Sequence, residues 1–154
     1  MKKIILVLSA LLSFSAHAQL ADKKALTLDA AKKMTAAAEA EAKKNGWTMA
    51  IAVVDDAGHL ITFQRLDGTQ SGSIEVAIAK AKTAAAFKRP TKVFEEASKT
   101  RPGLLTLSPA AVMVEGGVPL FAEQQLVGAI GVSGASSQQD GQVAEAGIAA
   151  LGLK

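Results

Sequence analysis

The sequence of 154 residues contains no cysteine and no tyrosine, a single tryptophan and only four prolines. Without cysteine, the chain has no disulfide, no thiol nucleophile and no thiolate ligand for zinc or haem. It has only two histidines, His17 and His59, too few for a metal site built from several imidazoles. Aromatic residues make up only 4% of the chain, which leaves no series of rings on which nucleic-acid bases could stack.

The first eighteen residues have the pattern of a secretory signal peptide. Two lysines precede an apolar run over residues 4–12, and Ala-His-Ala at residues 16–18 has the small-x-small pattern of a cleavage site. The apolar run is too short to span a bilayer. We therefore expect residues 1–18 to be a signal peptide and residues 19–154 to form one domain. The mature protein is then periplasmic or secreted, with no membrane span.

The charge balance argues against nucleic acid as a partner. The 17 basic and 14 acidic residues give a net charge of +3. Removing Lys2 and Lys3 with the signal peptide leaves 15 basic residues and a net charge of +1. No basic run alternates with aromatic residues, so the usual signature of a nucleic-acid-binding surface is missing.

The order of periodic segments predicts an α+β fold. Helical spacing with capping residues predicts four helices, which begin near Thr27, Ser73, Thr91 and Ser137. Apolar or alternating runs predict two hairpins and one further short strand, at residues 47–66, 115–134 and 110–114. Strands joined by tight turns are antiparallel. We expect one α+β domain with an antiparallel sheet of about five strands flanked by helices.

The last predicted strand contains Gly128 and Gly131, and Gly134 follows it. Glycine weakens a strand, so these positions predict that another backbone, a helix or a ligand comes close. The GxxGxxG spacing could serve as an anion cradle at a helix start, but it matches neither the dinucleotide fingerprint nor the P-loop. A tight join between strand and helix is the favoured interpretation.

Few residues are suited to catalysis. A serine hydrolase would need His59 with Ser133 or Ser71, but the sequence has no GxSxG motif and His59 lies in a predicted hairpin turn. Charged residues around the long helix could bind a carboxylate ligand, although surface ion pairs are favoured; they are Arg65, Asp67, Lys80, Lys82 and Arg89. Nothing in the residues requires an enzyme.

Haem would need an apolar slot, cations for its propionates and an axial ligand. The possible axial ligands are His59 and the methionines, of which Met113 is the one we single out for testing. The segment from Arg101 to Pro109 contains Leu104, Leu105 and Leu107. Because so apolar a loop is unfavourable in water, we expect it to cover a pocket or to contact another subunit.

Three motifs together resemble the GlcG/HbpS family of haem-binding and haem-degrading proteins. They are AIAVVDDAGHLITFQRLDG, SIEVAIAKAKTAAAFKRPT and GGVPLFAEQQLVGAIGVSGASSQQD. The resemblance implies a profilin-like α/β/α domain, assembly into homo-oligomers, and haem as a cofactor with an extracytoplasmic role. Among the positions that match family motifs, those proposed for ligand binding are Arg65, Lys82, Thr83, Arg89 and Ser133. The axial ligand stays open between His59 and Met113.

Three functions compete at this point. The first is an exported haem-binding protein for sensing, storage or detoxification, which has at most weak peroxidase or haem-degrading activity. The second is a module that binds a small, glycolate-like organic acid through Arg65 and the backbone amides of the glycine-rich strand. The third is a structural oligomer without a ligand.

Overall fold

The computed structural model describes residues 21–153, so the predicted signal peptide and the start of the domain at residue 19 lie outside the described residues. The helices are α1 (Leu28–Lys44), α2 (Gly72–Phe87), α3 (Thr91–Ser98) and α4 (Ser137–Ala149), with a 3₁₀ turn at Pro102–Thr106. The strands are β1 (Ala50–Asp55), β2 (Leu60–Arg65), β3 (Gly117–Ala122) and β4 (Gln125–Ser133). The α+β prediction is confirmed.

The strands form one antiparallel sheet in the order β2-β1-β4-β3. Its two hairpins meet along β1 and β4, where Ala52 pairs with Gly131. Helices α1 and α4 cover one face of the sheet and α2 covers the other, which gives three layers.

The prediction of about five strands is wrong, because the structure has four strands in residues 21–153. Residues 110–114 do not form a strand, since helix side chains bind a backbone donor of this segment and that of the residue after it. The N–H of Val112 donates to the Thr83 hydroxyl on α2 at 2.9 Å. The N–H of Glu115 donates to the Glu95 carboxylate on α3. A strand would need such donors for a sheet partner.

The glycine-rich strand allows α2 to approach the sheet closely. A Cβ atom on Gly131 would lie 2.1 Å from the carbonyl oxygen of Ala77 on α2. A Cβ atom on Gly128 would lie 2.5 Å from the carbonyl oxygen of Val54. The prediction that another backbone comes close at these glycines is therefore confirmed, and no ligand is needed to explain them.

Two predicted helix starts are displaced by one or two residues. The N-cap of α2 is Ser71 rather than Ser73, which is buried and accepts a hydrogen bond from Gln70. The capping box of α4 consists of Ser136 and Gln139 rather than Ser137 and Asp140. Asp140 is thereby released from capping and points into the protein.

Candidate functional site

A cleft lies on the outer side of α2, beneath the segment that leads to β3. It has a volume of about 130 Å³ and is lined by Lys82, Thr83, Ala86, Phe87, Ser108, Ala110 and Ala111. We call it the α2 cleft. Helical spacing places Lys82 and Ala86 on one side of α2. Phe87 is held by an edge-to-face contact with Phe94 of α3, with ring centroids 5.2 Å apart.

Thr83 ties the two walls of the α2 cleft together. Its buried hydroxyl donates to the carbonyl oxygen of Ala79 at 2.7 Å and accepts from the N–H of Val112 at 2.9 Å. The single hydroxyl proton is already used within the helix. Thr83 therefore positions the cleft, and its remaining capacity is that of an acceptor.

The β1–β2 turn, which carries His59, lies near one residue of the cleft. A Cβ atom on Gly58 would lie 3.7 Å from Cγ of Lys82, so the turn passes close to the lysine side chain. The Asp55 carboxylate accepts from the N–H groups of Ala57 and His59, at 2.9 and 2.8 Å. Partial burial disfavours the charged form of this carboxylate. The hydrogen bonds from the N–H groups of His59 and Ala57 and from the imidazole favour the charged form more strongly, so the pKa of Asp55 is lowered.

The imidazole of His59 is 81% exposed, and its Nδ1 lies 3.3 Å from Oδ2 of Asp55. Its Nε2 has no hydrogen-bond partner among the described residues. A carboxylate that holds one ring nitrogen favours the tautomer in which the other nitrogen can bind a metal. This arrangement therefore leaves Nε2 available as a ligand.

Apolar side chains are exposed next to the cleft. Leu105 and Leu107 are each 56% exposed, and the second lies immediately before Ser108 in the cleft wall. Two exposed leucines in one short segment are typical of a ligand or protein contact.

The other predicted binding residues lie elsewhere. Arg65 lines a separate groove beside Trp47. Arg89 is exposed just after the end of α2. Ser133 is a buried residue of β4, opposite Ala50 in the sheet. Met113 is only 4% exposed, so its sulfur lies inside the protein. Of the seven candidates, Lys82 and Thr83 line the α2 cleft, and His59 follows Gly58, which lies near Lys82.

The backbone amides proposed as part of a small-acid site belong to the sheet. Gly131 pairs with Ala52 of β1 and Gly117 of β3, and Gly128 pairs with Asp55 and Leu120. With a strand on either side, this part of β4 has no free edge for an anion. Arg65 therefore does not share a site with these amides.

A buried ion pair is the main charged feature that sequence reasoning missed. Nζ of Lys80 donates to Oδ2 of Asp140 at 2.7 Å and to the carbonyl oxygen of Val132 at 3.1 Å. The two residues are 1% and 2% exposed. Burial raises the pKa of Asp140, and the hydrogen bonds from Lys80 and Ala135 offset this only in part.

The expectation that Lys80 lies at the surface is wrong. Lys80 falls three residues after Ala77 and four before Ala84, on the stripe of α2 that faces the sheet. Helical periodicity alone could have indicated its burial. Its partner could not have been found in this way, because Asp140 follows 60 residues later.

Glu95 is a second charged residue that holds this part of the fold together. Its carboxylate accepts from the N–H of Glu115 and from the hydroxyl of Ser137, the latter at 3.1 Å. Glu95 thus connects α3 with the segment before β3 and with the first turn of α4.

The described part of the chain offers no conventional metal site. Within residues 21–153, no three His, Asp or Glu side chains are grouped to hold a metal ion. Nor does that range contain a helix with the length and apolar character needed to cross a membrane.

Comparison with known proteins gives consistent matches over most of the chain. Residues 26–149 match the model of the HbpS-like family, described as haem-degrading proteins. Protein GlcG of Escherichia coli K12 is 40% identical over 111 residues, which are 72% of this chain and 83% of GlcG.

Solved structures agree with this result. A double mutant of HbpS from Streptomyces reticuli superposes with a TM-score of 0.79 at 37% identity, covering 86% of this chain and 90% of that one. The haem complex of PduOC superposes with a TM-score of 0.79 at 28% identity, covering 85% and 98% of the two chains. On the strength of the family model and of GlcG, the chain belongs to the GlcG/HbpS family.

Proposed function

We propose that this protein binds haem at the α2 cleft, with His59 as the axial ligand and Lys82 paired with a propionate. The observation that carries the proposal is the approach of Gly58 in the β1–β2 turn to Lys82 of the cleft. His59 is the next residue, and its exposed imidazole with a free Nε2 supports its assignment to the same ligand as the Lys82 cation. The haem complex solved for the related PduOC supports the choice of ligand.

The residues present fit haem as an open site rather than as an enclosed one. A cleft of about 130 Å³ is smaller than the pockets that enclose small molecules, which begin near 300 Å³. The cleft thus accommodates one edge of the macrocycle. The exposed Leu105 and Leu107 offer apolar surface for the part that extends beyond it. A single protein ligand is sufficient, because the porphyrin itself supplies four nitrogens.

Each residue has a defined role in this proposal. Asp55 accepts a hydrogen bond at Nδ1 of His59 and so orients the ring and presents Nε2. Lys82 lies at the rim and is exposed, so it can pair with a carboxylate without the cost of burying a charge. Thr83 keeps the far wall of the cleft in place. Bound haem would supply a redox-active iron, and the protein would control its orientation and its access to water.

A haemin titration of the mature chain, followed at the Soret band, tests the proposal. We expect saturation at a fixed stoichiometry with a shifted, narrow band. His59→Ala should abolish the shift, while Lys82→Gln should weaken binding and leave the band position unchanged. Met113→Leu is the matched control, because it removes the other candidate ligand and conserves volume. A broad response that does not saturate, unchanged in His59→Ala, would show that haem binding is adventitious.

The proposal extends to an exported protein that handles haem outside the cytoplasm. It is supported by the signal-peptide pattern of residues 1–18, with its predicted cleavage after Ala18. N-terminal sequencing of the protein from a periplasmic or culture fraction should begin at Gln19. Full-length protein recovered with the cytoplasmic fraction would contradict export.

We further propose that the protein forms a homo-oligomer through the exposed leucines beside the cleft. Leu105 and Leu107 support this, because each is more than half exposed and neighbouring apolar side chains at a surface mark interaction sites. Light scattering should give a mass of more than one chain. Leu105→Glu should reduce it, whereas Leu28→Glu, at an exposed leucine on α1, should not. A monomeric wild type would contradict the proposal.

A further inference from the structure

A second groove lies where α1 ends and β2 leads into the following loop. It has a volume of about 460 Å³, within the usual range for small-molecule pockets. We call it the Arg65 groove. The residues that matter for its chemistry are Glu39, Lys43, Trp47, Gln64, Arg65 and Asp67. A smaller hollow shares Arg65 and Asp67 and extends it towards Gly68.

The Arg65 guanidinium is held in place without a ligand. Its Nε and Nη2 both donate to the carbonyl oxygen of Thr69, at 3.0 and 2.7 Å. Thr69 is itself buried, and its N–H donates to Leu66. Nη1 has no hydrogen-bond partner among the described residues. A guanidinium fixed in this way loses little freedom when its remaining donors bind a carboxylate.

The charges on the α1 side of the groove neutralise each other. Lys43 and Glu39 form an ion pair at 2.5 Å. The hydrogen bonds from Lys43 and Gln64 lower the pKa of Glu39. This pair therefore contributes no net charge, and its carboxylate already has partners.

Asp67 is the remaining charged group of the groove. No hydrogen bond or ion pair engages its carboxylate among the described residues. Glu39, through its hydrogen bond and its charge, is the main cause of the raised pKa of Lys43. Asp67 adds a weaker electrostatic attraction that raises the same pKa. Arg65 and Asp67 thus present one positive and one negative group to the same space. A ligand that carries both a carboxylate and an ammonium group satisfies both.

Trp47 gives the groove an apolar wall. The indole is half-buried, and Leu66 beside it is buried. Aromatic side chains in this setting contact the apolar part of a ligand. We propose that the Arg65 groove binds a free α-amino acid with a small apolar side chain, whose carboxylate meets Arg65, whose ammonium meets Asp67, and whose side chain lies against Trp47.

Three acids of similar size separate the contribution of the ammonium group from that of the carboxylate. Titration calorimetry with L-alanine, L-lactate and propionate compares an ammonium, a hydroxyl and a hydrogen at the same carbon. We expect saturable binding of alanine, binding of lactate several-fold weaker, and binding of propionate at least about tenfold weaker, since tenfold corresponds to one modest charged contact.

Two variants assign the site. Asp67→Asn should reduce alanine binding to the level of propionate, and its melting temperature should stay that of the wild type because Asp67 has no structural partner. Arg65→Lys should weaken all three acids, since lysine lacks the bidentate fork. Asp29→Asn, in the first turn of α1 far from the groove, is the matched control and should leave the binding of all three acids unchanged.

The outcomes that overturn the proposal are distinct. Absence of saturable binding by all three acids would exclude the site. Equal affinity for alanine and propionate would show that Asp67 does not bind the ammonium group. A preference for lactate would contradict the assignment of an amino acid as the ligand. Binding of alanine that is unchanged in Asp67→Asn would place the ligand elsewhere. None of these outcomes depends on haem, because the α2 cleft shares no residue with this groove.

Discussion

The two faces of the sheet are packed in different ways. On the face covered by α1 and α4, large apolar side chains interlock, among them Met34, Ile51 and Ile130. On the face covered by α2, the buried side chains are almost all alanines, such as Ala52, Ala81 and Ala129. The first face is held by side-chain volume, and the second by a close approach of helix and sheet.

The difference has a consequence for charge. A helix that packs through alanine offers less apolar contact area, and the contribution of burial scales with that area. The α2 layer carries instead the buried pair of Lys80 and Asp140, which joins α2 to the start of α4 beside the end of β4. The small-residue layer therefore adds a buried polar connection to its smaller apolar area, whereas the large-residue layer relies on side-chain volume.

Breaking that connection should have the largest effect. Lys80→Met leaves Asp140 buried without its cation, and removing one partner of such a pair costs about 3–5 kcal/mol of stability. Denaturant unfolding measures this loss. The double variant Lys80→Met with Asp140→Leu should recover most of it, because it removes both charges and leaves apolar groups. A double variant no more stable than the single one would show that the pair itself stabilises the fold.

Filling the close contact should have the next largest effect. A Cβ atom on Gly131 would meet the Ala77 carbonyl oxygen at 2.1 Å and the Ala81 nitrogen at 2.4 Å. Because both are backbone atoms, α2 must shift, and Gly131→Ala should cost about 3 kcal/mol, the upper part of the usual range for overpacking. Gly103→Ala is the control, since nothing lies within 4 Å of its new methyl group. Equal stability of the two variants would contradict the close packing described for α2.

The same comparison shows what the sequence could predict. Glycines in a strand indicated the close approach, and alanines at helical spacing placed α2 across the sheet. Both signals are local, since each residue type reflects the space available at its own position. The absence of a strand at residues 110–114 could not be inferred locally, because it depends on Thr83 and Glu95, which bind the segment from other helices.

The residues of the candidate site come from the sequence, but their arrangement does not. Lys82 and Thr83 follow from the family motif, and His59 was the one histidine left after the signal peptide. The approach of the β1–β2 turn to Lys82 is not encoded by any spacing along the chain. Arg65 was predicted to bind a small acid, but the other residues of its groove could not be predicted for the same reason, since the groove joins the end of α1 to the loop after β2.

Acidity should sharpen the contrast between the faces, because the buried acid Asp140 of α4 is bound to Lys80 of the α2 layer. Burial raises the folded-state pKa of Asp140 above its ordinary value, so in the interval between the two values the native state binds a proton more readily than the unfolded state. The contribution of Asp140 to stability is therefore greatest below the ordinary pKa and is lost as the pH rises through the raised one.

The measurement is the free energy of unfolding against pH for the wild type and Asp140→Asn. The wild type should lose stability relative to the variant as the pH rises through that interval, by less than about 1.4 kcal/mol per pH unit for one proton. Ile130→Val, on the other face, should differ from the wild type by a constant amount. A wild type that gains stability over Asp140→Asn with rising pH would show that the Lys80 pair outweighs burial.

The smallest predicted effect uses the same substitution as the Gly131 test and should have the opposite sign. Gly72 is the first residue of α2, has no positive φ and has nothing within 4 Å of a new Cβ atom. Gly72→Ala should therefore stabilise the protein by about 0.5–1 kcal/mol, because alanine loses less conformational freedom than glycine on entering a helix. Thermal unfolding detects a gain of this size. If Gly72→Ala stabilises and Gly131→Ala destabilises, the cost at Gly131 arises from the contact of β4 with α2 and not from a general intolerance of this layer for alanine. A loss at both positions would mean that the layer is intolerant of added methyl groups even where nothing lies nearby, and the close contact would then no longer explain the cost at Gly131.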